Sequence, residues 1–175
     1  MYKRQELLYD RVVEVSERLD AEGEIIKSLN ENEVRTALKK AKIDGINSVA
    51  IAFMHSYINP NHENIIAEIA HEEKFDQISV SHKVSPLIKL IGRGDTTVVD
   101  AYLSPILRRY VNQVSEELEK NKSTKLMFMQ SNGGLTDANL FQGKDALLSG
   151  PAGGVVSMVQ TGKQAGYNLS LIHIS

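Results

Sequence analysis

The sequence predicts an α/β fold. Two observations carry this. Short apolar runs with strand character alternate with helix-periodic segments along the chain, and Asn, Pro and Gly mark the joints between them. The 175 residues, 42% of them hydrophobic, are enough for a core.

Val12, Val13 and Val15 predict a strand, and 24–29 predict another. Asn30 then caps a helix, with Glu33 three residues on as its capping-box partner. Val34, Ala37, Leu38 and Ala41 recur at i, i+3, i+4 and i+7 and form one apolar face, which Gly45 terminates. The run 48–54 is continuously apolar, as in a strand buried on both faces. Asn59 and Pro60 read as an N-cap and first-turn pair for a helix through Ile65, Ile66 and Ile69. Residues 78–81 form a further strand. A long helix is expected over 96–120, with Asp95 as its N-cap and Pro105 predicting a kink or break. Its charged residues, such as Arg108, Glu116 and Glu117, read as a solvated face. Residues 126–129 predict a strand entering the turn Gln130-Ser131-Asn132-Gly133-Gly134.

The run Ser149-Gly150-Pro151-Ala152-Gly153-Gly154 carries the clearest chemical signal. Ser149 reads as an N-cap and Pro151 as the first helical residue, followed by an apolar stripe of Val155, Val156 and Val159. Glycines at a helix N-terminus let backbone N–H groups approach an anion. The alternative is a tight turn in which glycine serves packing alone. The run matches neither GxGxxG nor the P-loop pattern.

Other chemistry is sparse. A formal net charge of −2 argues against a nucleic-acid surface. There is no cysteine, hence neither a disulfide framework nor a thiolate metal site, which suits a cytoplasmic protein. No apolar stretch is long enough to span a membrane, and no signal peptide is visible. Of the five histidines, His55, His62 and His71 have no HExxH or carboxylate cluster beside them and read as surface or internally bonded residues. Arg93, Asp95 and Thr96 form a polar cluster that faces a substrate or simply caps the helix. No serine sits in a GxSxG elbow and no nucleophile–base pair is identifiable, so catalytic residues are unassigned.

Both ends, residues 1–5 and 169–175, resemble translations of one sequencing-library adapter in its two orientations. The expectation is that 6–168 form an internal piece of a longer protein.

The chain resembles the hydantoinase A/oxoprolinase family. The matching stretches are ELLYDRVVEVSE at 6–17, VAIAFMHSYINPNHE at 49–63, VSPLIKLIGRGDTTVVDAYLSPILRRY at 84–110, LMFMQSNGGL at 126–135 and ALLSGPAGGVV at 146–156. Acetone-carboxylase-like members usually carry Glu-Tyr-Glu before the arginine. Leu90, Ile91 and Gly92 stand there instead, which points to the oxoprolinase-like branch. The resemblance implies an actin-like ATPase (RNase H-like) fold, present in part. Residues 6–120 would close the N-terminal region and 121–168 would begin the second lobe. It also implies ATP and Mg2+, with the acidic phosphate motifs and metal ligands outside this stretch. The implied activity is opening of a cyclic amide, 5-oxoproline or a hydantoin, through a phosphorylated amide, with a second hydantoinase-type subunit or domain as partner. Asn132, Gly133, Gly134, Ser149, Gly150, Gly153 and Gly154 would then shape the nucleotide cleft, and Arg93, Asp95 and Thr96 would meet substrate. The alternatives are an ATP-dependent ketone carboxylase subunit, a non-catalytic binding fragment and a sugar kinase of the same fold.

Overall fold

A computed structural model describes residues 7–118 and 125–167. The adapter-like ends and the expected helix residues 119 and 120 lie outside the described residues. The chain divides into two compact units, 1–110 and 111–175. The division falls inside one helix, ten residues before the expected boundary.

The first unit is built around a parallel strand pair. Strands β1 (Arg18–Leu19) and β2 (Ile25–Lys27) form a short antiparallel ribbon. Helix α1 (Glu31–Ile43) follows, and Asn30 Oδ1 accepts from the Glu33 N–H at 3.2 Å, as expected of the cap. Strand β3 (Ser48–Ile51), helix α2 (Asn61–Glu72) and strand β4 (Gln77–Val80) make a β-α-β unit, with Ser48 opposite Gln77 and Ile51 opposite Val80. Val34 and Leu38 of α1, Ile66 and Ala70 of α2, Ile51 and Phe75 pack into one core. Each large aliphatic side chain buried there contributes about 2 kcal/mol. Arg35 clips the two helices together by ion pairs of 2.6 Å to Glu72 and 3.2 Å to Glu73. The hydrogen bond to Glu72 chiefly raises the Arg35 pKa above its ordinary value.

Helix α3 (Ser81–Val84) and helix α4 (Leu90–Leu118) complete the unit, and α4 runs on into the second. The second unit adds strands β5 (Met127–Met129) and β6 (Leu135–Asp137), a 3-10 turn (Ala138–Leu140), and helices α5 (Gly143–Ala146) and α6 (Ser149–Gln164). Strands β5 and β6 form an antiparallel hairpin with Met129 opposite Leu135. Phe128 stacks on Phe141 with ring centroids 5.0 Å apart.

Several expectations are corrected. Val12, Val13 and Val15 lie in irregular coil, because no ladder partner meets them among the described residues. The strand expected over 24–29 contracts to β2. Pro60 is the N-cap of α2 rather than its first residue, and Asn59 Oδ1 instead accepts from Asn61 N–H at 3.1 Å. Asp95 caps nothing, since α4 begins at Leu90. Thr96 and Thr97 hydroxyls donate back to the carbonyls of Gly92 and Arg93 inside the helix. Pro105 does not break α4. Much of the expected apolar face of α4 is exposed, with Tyr102, Ile106 and Tyr110 near half accessible. Ser149 is the first residue of α6, and Leu148 takes the cap position without a side-chain bond. The helix therefore starts two residues before Pro151, because Ser149 Oγ is already engaged with the Ala146 carbonyl at 2.8 Å.

Gly23 and Gly45 share a φ of +87°, but a Cβ at Gly23 would lie 2.8 Å from Ile58 Cγ2, while one at Gly45 meets nothing within 4 Å. Gly45→Ala is expected to destabilise the chain by about 1 kcal/mol through backbone strain alone. Gly23→Ala adds a clash with packed side chain, and its loss should exceed that of Gly45→Ala by at least about 1 kcal/mol in urea unfolding.

Candidate functional site

Two groups of residues stand apart from ordinary packing, one in each unit.

In the first unit, the segments that follow the parallel strands meet around a buried carboxylate. Glu63 lies on the same face of α2 as Ile66, Ala67 and Ala70 and is 0% exposed. Its Oε1 accepts from the Phe53 backbone N–H at 2.9 Å and from Ser81 Oγ at 2.6 Å. Its Oε2 accepts from the His82 backbone N–H at 3.1 Å and faces His82 Nδ1 at 2.6 Å. Arg93, also 0% exposed, donates from Nε to Ser81 Oγ at 2.9 Å. Its remaining donors go to the carbonyls of Leu87, Ile88, Phe53 and Met54. Ser81 thus bridges a buried anion and a buried cation, an arrangement that offsets the cost of removing both from water. Arg93, expected to meet substrate, is enclosed, and its guanidinium is engaged by protein carbonyls. Asp95 is exposed, and Thr96 Oγ1 is bonded to its own helix at 2.8 Å. His62 is bonded to Glu17 at 2.7 Å, while His55 Nδ1 is buried without a hydrogen-bond partner among the described residues.

The sequence reading passes over Glu63, Ser81 and His82. One signal for Glu63 was present: it occupies the i position of an i, i+3, i+4, i+7 apolar stripe, where a charge must be internally satisfied.

In the second unit, the turn 130–134 and the start of α6 come together. Gln130 N–H donates to the Gly134 carbonyl at 2.8 Å, and Gly133 adopts a φ of +83°, which favours glycine. Asn132 Oδ1 accepts from Gly134 N–H at 2.8 Å. Ser131 Oγ donates to the Asp145 carbonyl at 2.7 Å and accepts from Leu148 N–H at 3.0 Å, which ties the turn to the entry of α6. A Cβ at Gly133 would sit 3.4 Å from Val156 Cγ2, and one at Gly153 would sit 3.7 Å from Met129 Cγ. Gly150 and Gly154 differ from these. A Cβ at either would meet nothing within 4 Å, so their lack of a side chain serves no packing among the described residues.

The helical start of α6 limits which donors are open. Ala152 N–H is bonded to the Leu148 carbonyl at 3.0 Å, and Pro151 has no N–H. Gly153 and Gly154 lie deep enough for their N–H groups to bond within the helix. Ser149 and Gly150 retain the outward-facing N–H groups of the first turn. No side chain of α6 is buried, and Val155 and Val159 of the expected stripe are exposed.

A cavity of about 980 Å³ in the first unit is lined by the irregular segment 7–15 together with residues of α1, β3 and α4. Arg11 and Asp44 on its rim pair with each other at 2.6 Å. Among the described residues no group of three or more His, Cys, Asp or Glu could hold a metal ion, and no helix is long and apolar enough to cross a membrane.

Comparison with known proteins identifies the family. The family model of the hydantoinase/oxoprolinase N-terminal region matches residues 1–74, and that of hydantoinase/oxoprolinase matches residues 93–173. The 5-oxoprolinase of Saccharomyces cerevisiae is 40% identical across 94% of the chain. The chain spans about 15% of that relative's length. Among solved structures, the ATP-dependent caprolactamase from Pseudomonas jessenii is 28% identical with a TM-score of 0.78, over 87% of this chain and 23% of that one. Nucleotide-free acetone carboxylase is 26% identical, also with a TM-score of 0.78, over 87% of this chain and 22% of that one. The chain therefore belongs to the hydantoinase/oxoprolinase family and carries part of its actin-like ATPase fold.

Proposed function

We propose that the longer protein to which this chain belongs uses ATP to open a cyclic amide, 5-oxoproline or a hydantoin. Amide resonance makes such a ring a poor electrophile. Bound ATP with magnesium would transfer its terminal phosphoryl group to the amide oxygen, releasing ADP; water would then add to the activated carbon, phosphate would leave, and the ring C–N bond would break as its nitrogen takes a proton. The observation that carries the reading is the glycine run in a chain so similar to a 5-oxoprolinase: Gly150 and Gly154 keep open the space a Cβ would fill, at a helix N-terminus suited to an anion.

In this reading Ser149 and Gly150 N–H groups donate to a phosphate oxygen. Gly154 lets that group approach the helix wall closely. The hairpin turn 130–134, fixed by Ser131 and by the φ of Gly133, supports that wall. Asn132 offers its side-chain N–H₂, because its oxygen is held by Gly134. The magnesium ligands would lie on other segments of the longer protein, which would work in the cytoplasm with a second hydantoinase-type subunit or domain as partner.

The equal TM-score to acetone carboxylase supports a second reading, an ATP-dependent ketone carboxylase subunit. ADP release stimulated by acetone with bicarbonate, and not by 5-oxoproline or hydantoin, would select it.

Two outcomes test the first reading. The 175-residue chain alone is expected to hydrolyse neither ATP nor 5-oxoproline, because phosphoryl transfer without positioned magnesium loses its main charge stabilisation. Magnesium-dependent turnover by the purified chain would refute this. Gly154→Ala should hold or raise the stability of the chain by up to about 1 kcal/mol, since alanine is the better helix former. In the longer protein the same change should lower ATP turnover by at least about tenfold, the effect of losing about 1.4 kcal/mol of transition-state stabilisation. Unchanged turnover per folded molecule would show that the glycine has no part in binding phosphate.

A further inference from the structure

The glycine run leaves unused the carboxylate–imidazole pair at the ends of the parallel strands. Glu63 Oε2 accepts the His82 backbone N–H and also lies 2.6 Å from His82 Nδ1. Glu63 Oε1 is occupied by two further donors, Phe53 N–H and Ser81 O–H. A carboxylate that accepts from every neighbour fixes the tautomer of the ring: Nδ1 carries the hydrogen and donates it. In the neutral imidazole, Nε2 is then a bare lone pair. It makes no hydrogen bond to the described residues, and the His82 side chain keeps 13% exposure.

Position singles this nitrogen out. His82 follows the C-terminal end of β4, and the loop after β3 is tied beside it by Ser56 Oγ, 3.2 Å from Ser81 Oγ. The C-terminal ends of parallel strands are where open α/β sheets bind ligands. His55 Nδ1, buried without a hydrogen-bond partner among the described residues, belongs to that same loop.

A lone pair held in one direction needs a donor. A cyclic amide offers one N–H beside its carbonyl. When the amide oxygen takes a phosphoryl group, positive charge develops on the ring nitrogen and its N–H becomes a stronger donor. An acceptor fixed on that hydrogen binds the transition state more tightly than the ground state. We propose that His82 Nε2 is the acceptor for the ring N–H of the cyclic amide, with Glu63 as its positioning residue. The proposal rests on the cyclic-amide reading above.

The test uses the full-length protein with ATP and magnesium, comparing 5-oxoproline with its N-methyl analogue. His82→Asn places an amide N–H where Nδ1 sits, which preserves the bond to Glu63, and lacks any atom at Nε2. His82→Gln places its amide oxygen near Nε2 and serves as the second variant. The wild type should prefer the N–H substrate in kcat/KM by at least about tenfold, because a site built around a donor rejects the analogue lacking it. In His82→Asn the preference should fall to within about twofold, with a melting temperature close to wild type, as expected when the partner of one hydrogen bond is removed. His82→Gln should keep most of it. A preference unchanged in His82→Asn, or abolished in a folded His82→Gln, overturns the proposal while leaving the cyclic-amide function intact. A wild type without ATP-dependent turnover of 5-oxoproline overturns this proposal, and wild-type silence on hydantoin as well overturns the function beneath it.

Discussion

The Glu63–Ser81–Arg93 bridge is the constraint on which the first unit depends. Two fully buried charges would each cost several kcal/mol if left alone. Here each group is saturated: the carboxylate by four donors, the guanidinium by four carbonyls and a hydroxyl. Those partners come from the loop after β3, from α3 and from the segment before α4, so a single network fixes three connections that would otherwise be free. It also satisfies backbone groups of the segments that follow β3 and β4. The aim of His82 is a consequence of the same network.

The second unit shows the opposite economy. Its hairpin and α6 are held by backbone turns, one serine and a stacked aromatic pair, and no side chain of α6 is buried. Val155, Met158 and Val159 on α6, like Tyr102 and Ile106 on α4, form apolar surface that a folded lobe would bury. The chain spans about 15% of the length of the yeast 5-oxoprolinase to which it is similar. At the start of α6, Gly150 and Gly154 have open space where a Cβ would stand.

Local signals in the sequence were reliable where the backbone alone decides. Asn30 capped α1, Gly45 followed it with a φ of +87°, and the apolar runs near 48 and 78 became the parallel pair. The failures share a cause. Asp95-Thr96-Thr97 looks like a cap, but α4 extends a turn upstream because Arg93 must face inward toward four carbonyls. Arg93, Thr97, Asp100 and Ser104 form a buried polar stripe at helical spacing, which a hydrophobic-periodicity reading cannot register. Glu63 differs, since its place on the apolar stripe of α2 is legible but its partners at 53, 81 and 82 are not. Ser149 resembled an N-cap, yet its hydroxyl turned back to the Ala146 carbonyl. In each case a polar side chain found a partner distant in sequence or on the wrong side of the expected boundary.

A double-mutant cycle on the unfolding free energy of the chain addresses the central claim directly. Glu63→Gln and Arg93→Met each remove one buried charge and leave the other uncompensated, a loss of about 3 to 5 kcal/mol apiece. The double variant removes both, so it should be less destabilised than the sum by about 1 to 3 kcal/mol. Additivity within about 0.5 kcal/mol would contradict the account, because it would mean that Ser81 does not couple the two charges and that no single network holds the strand ends.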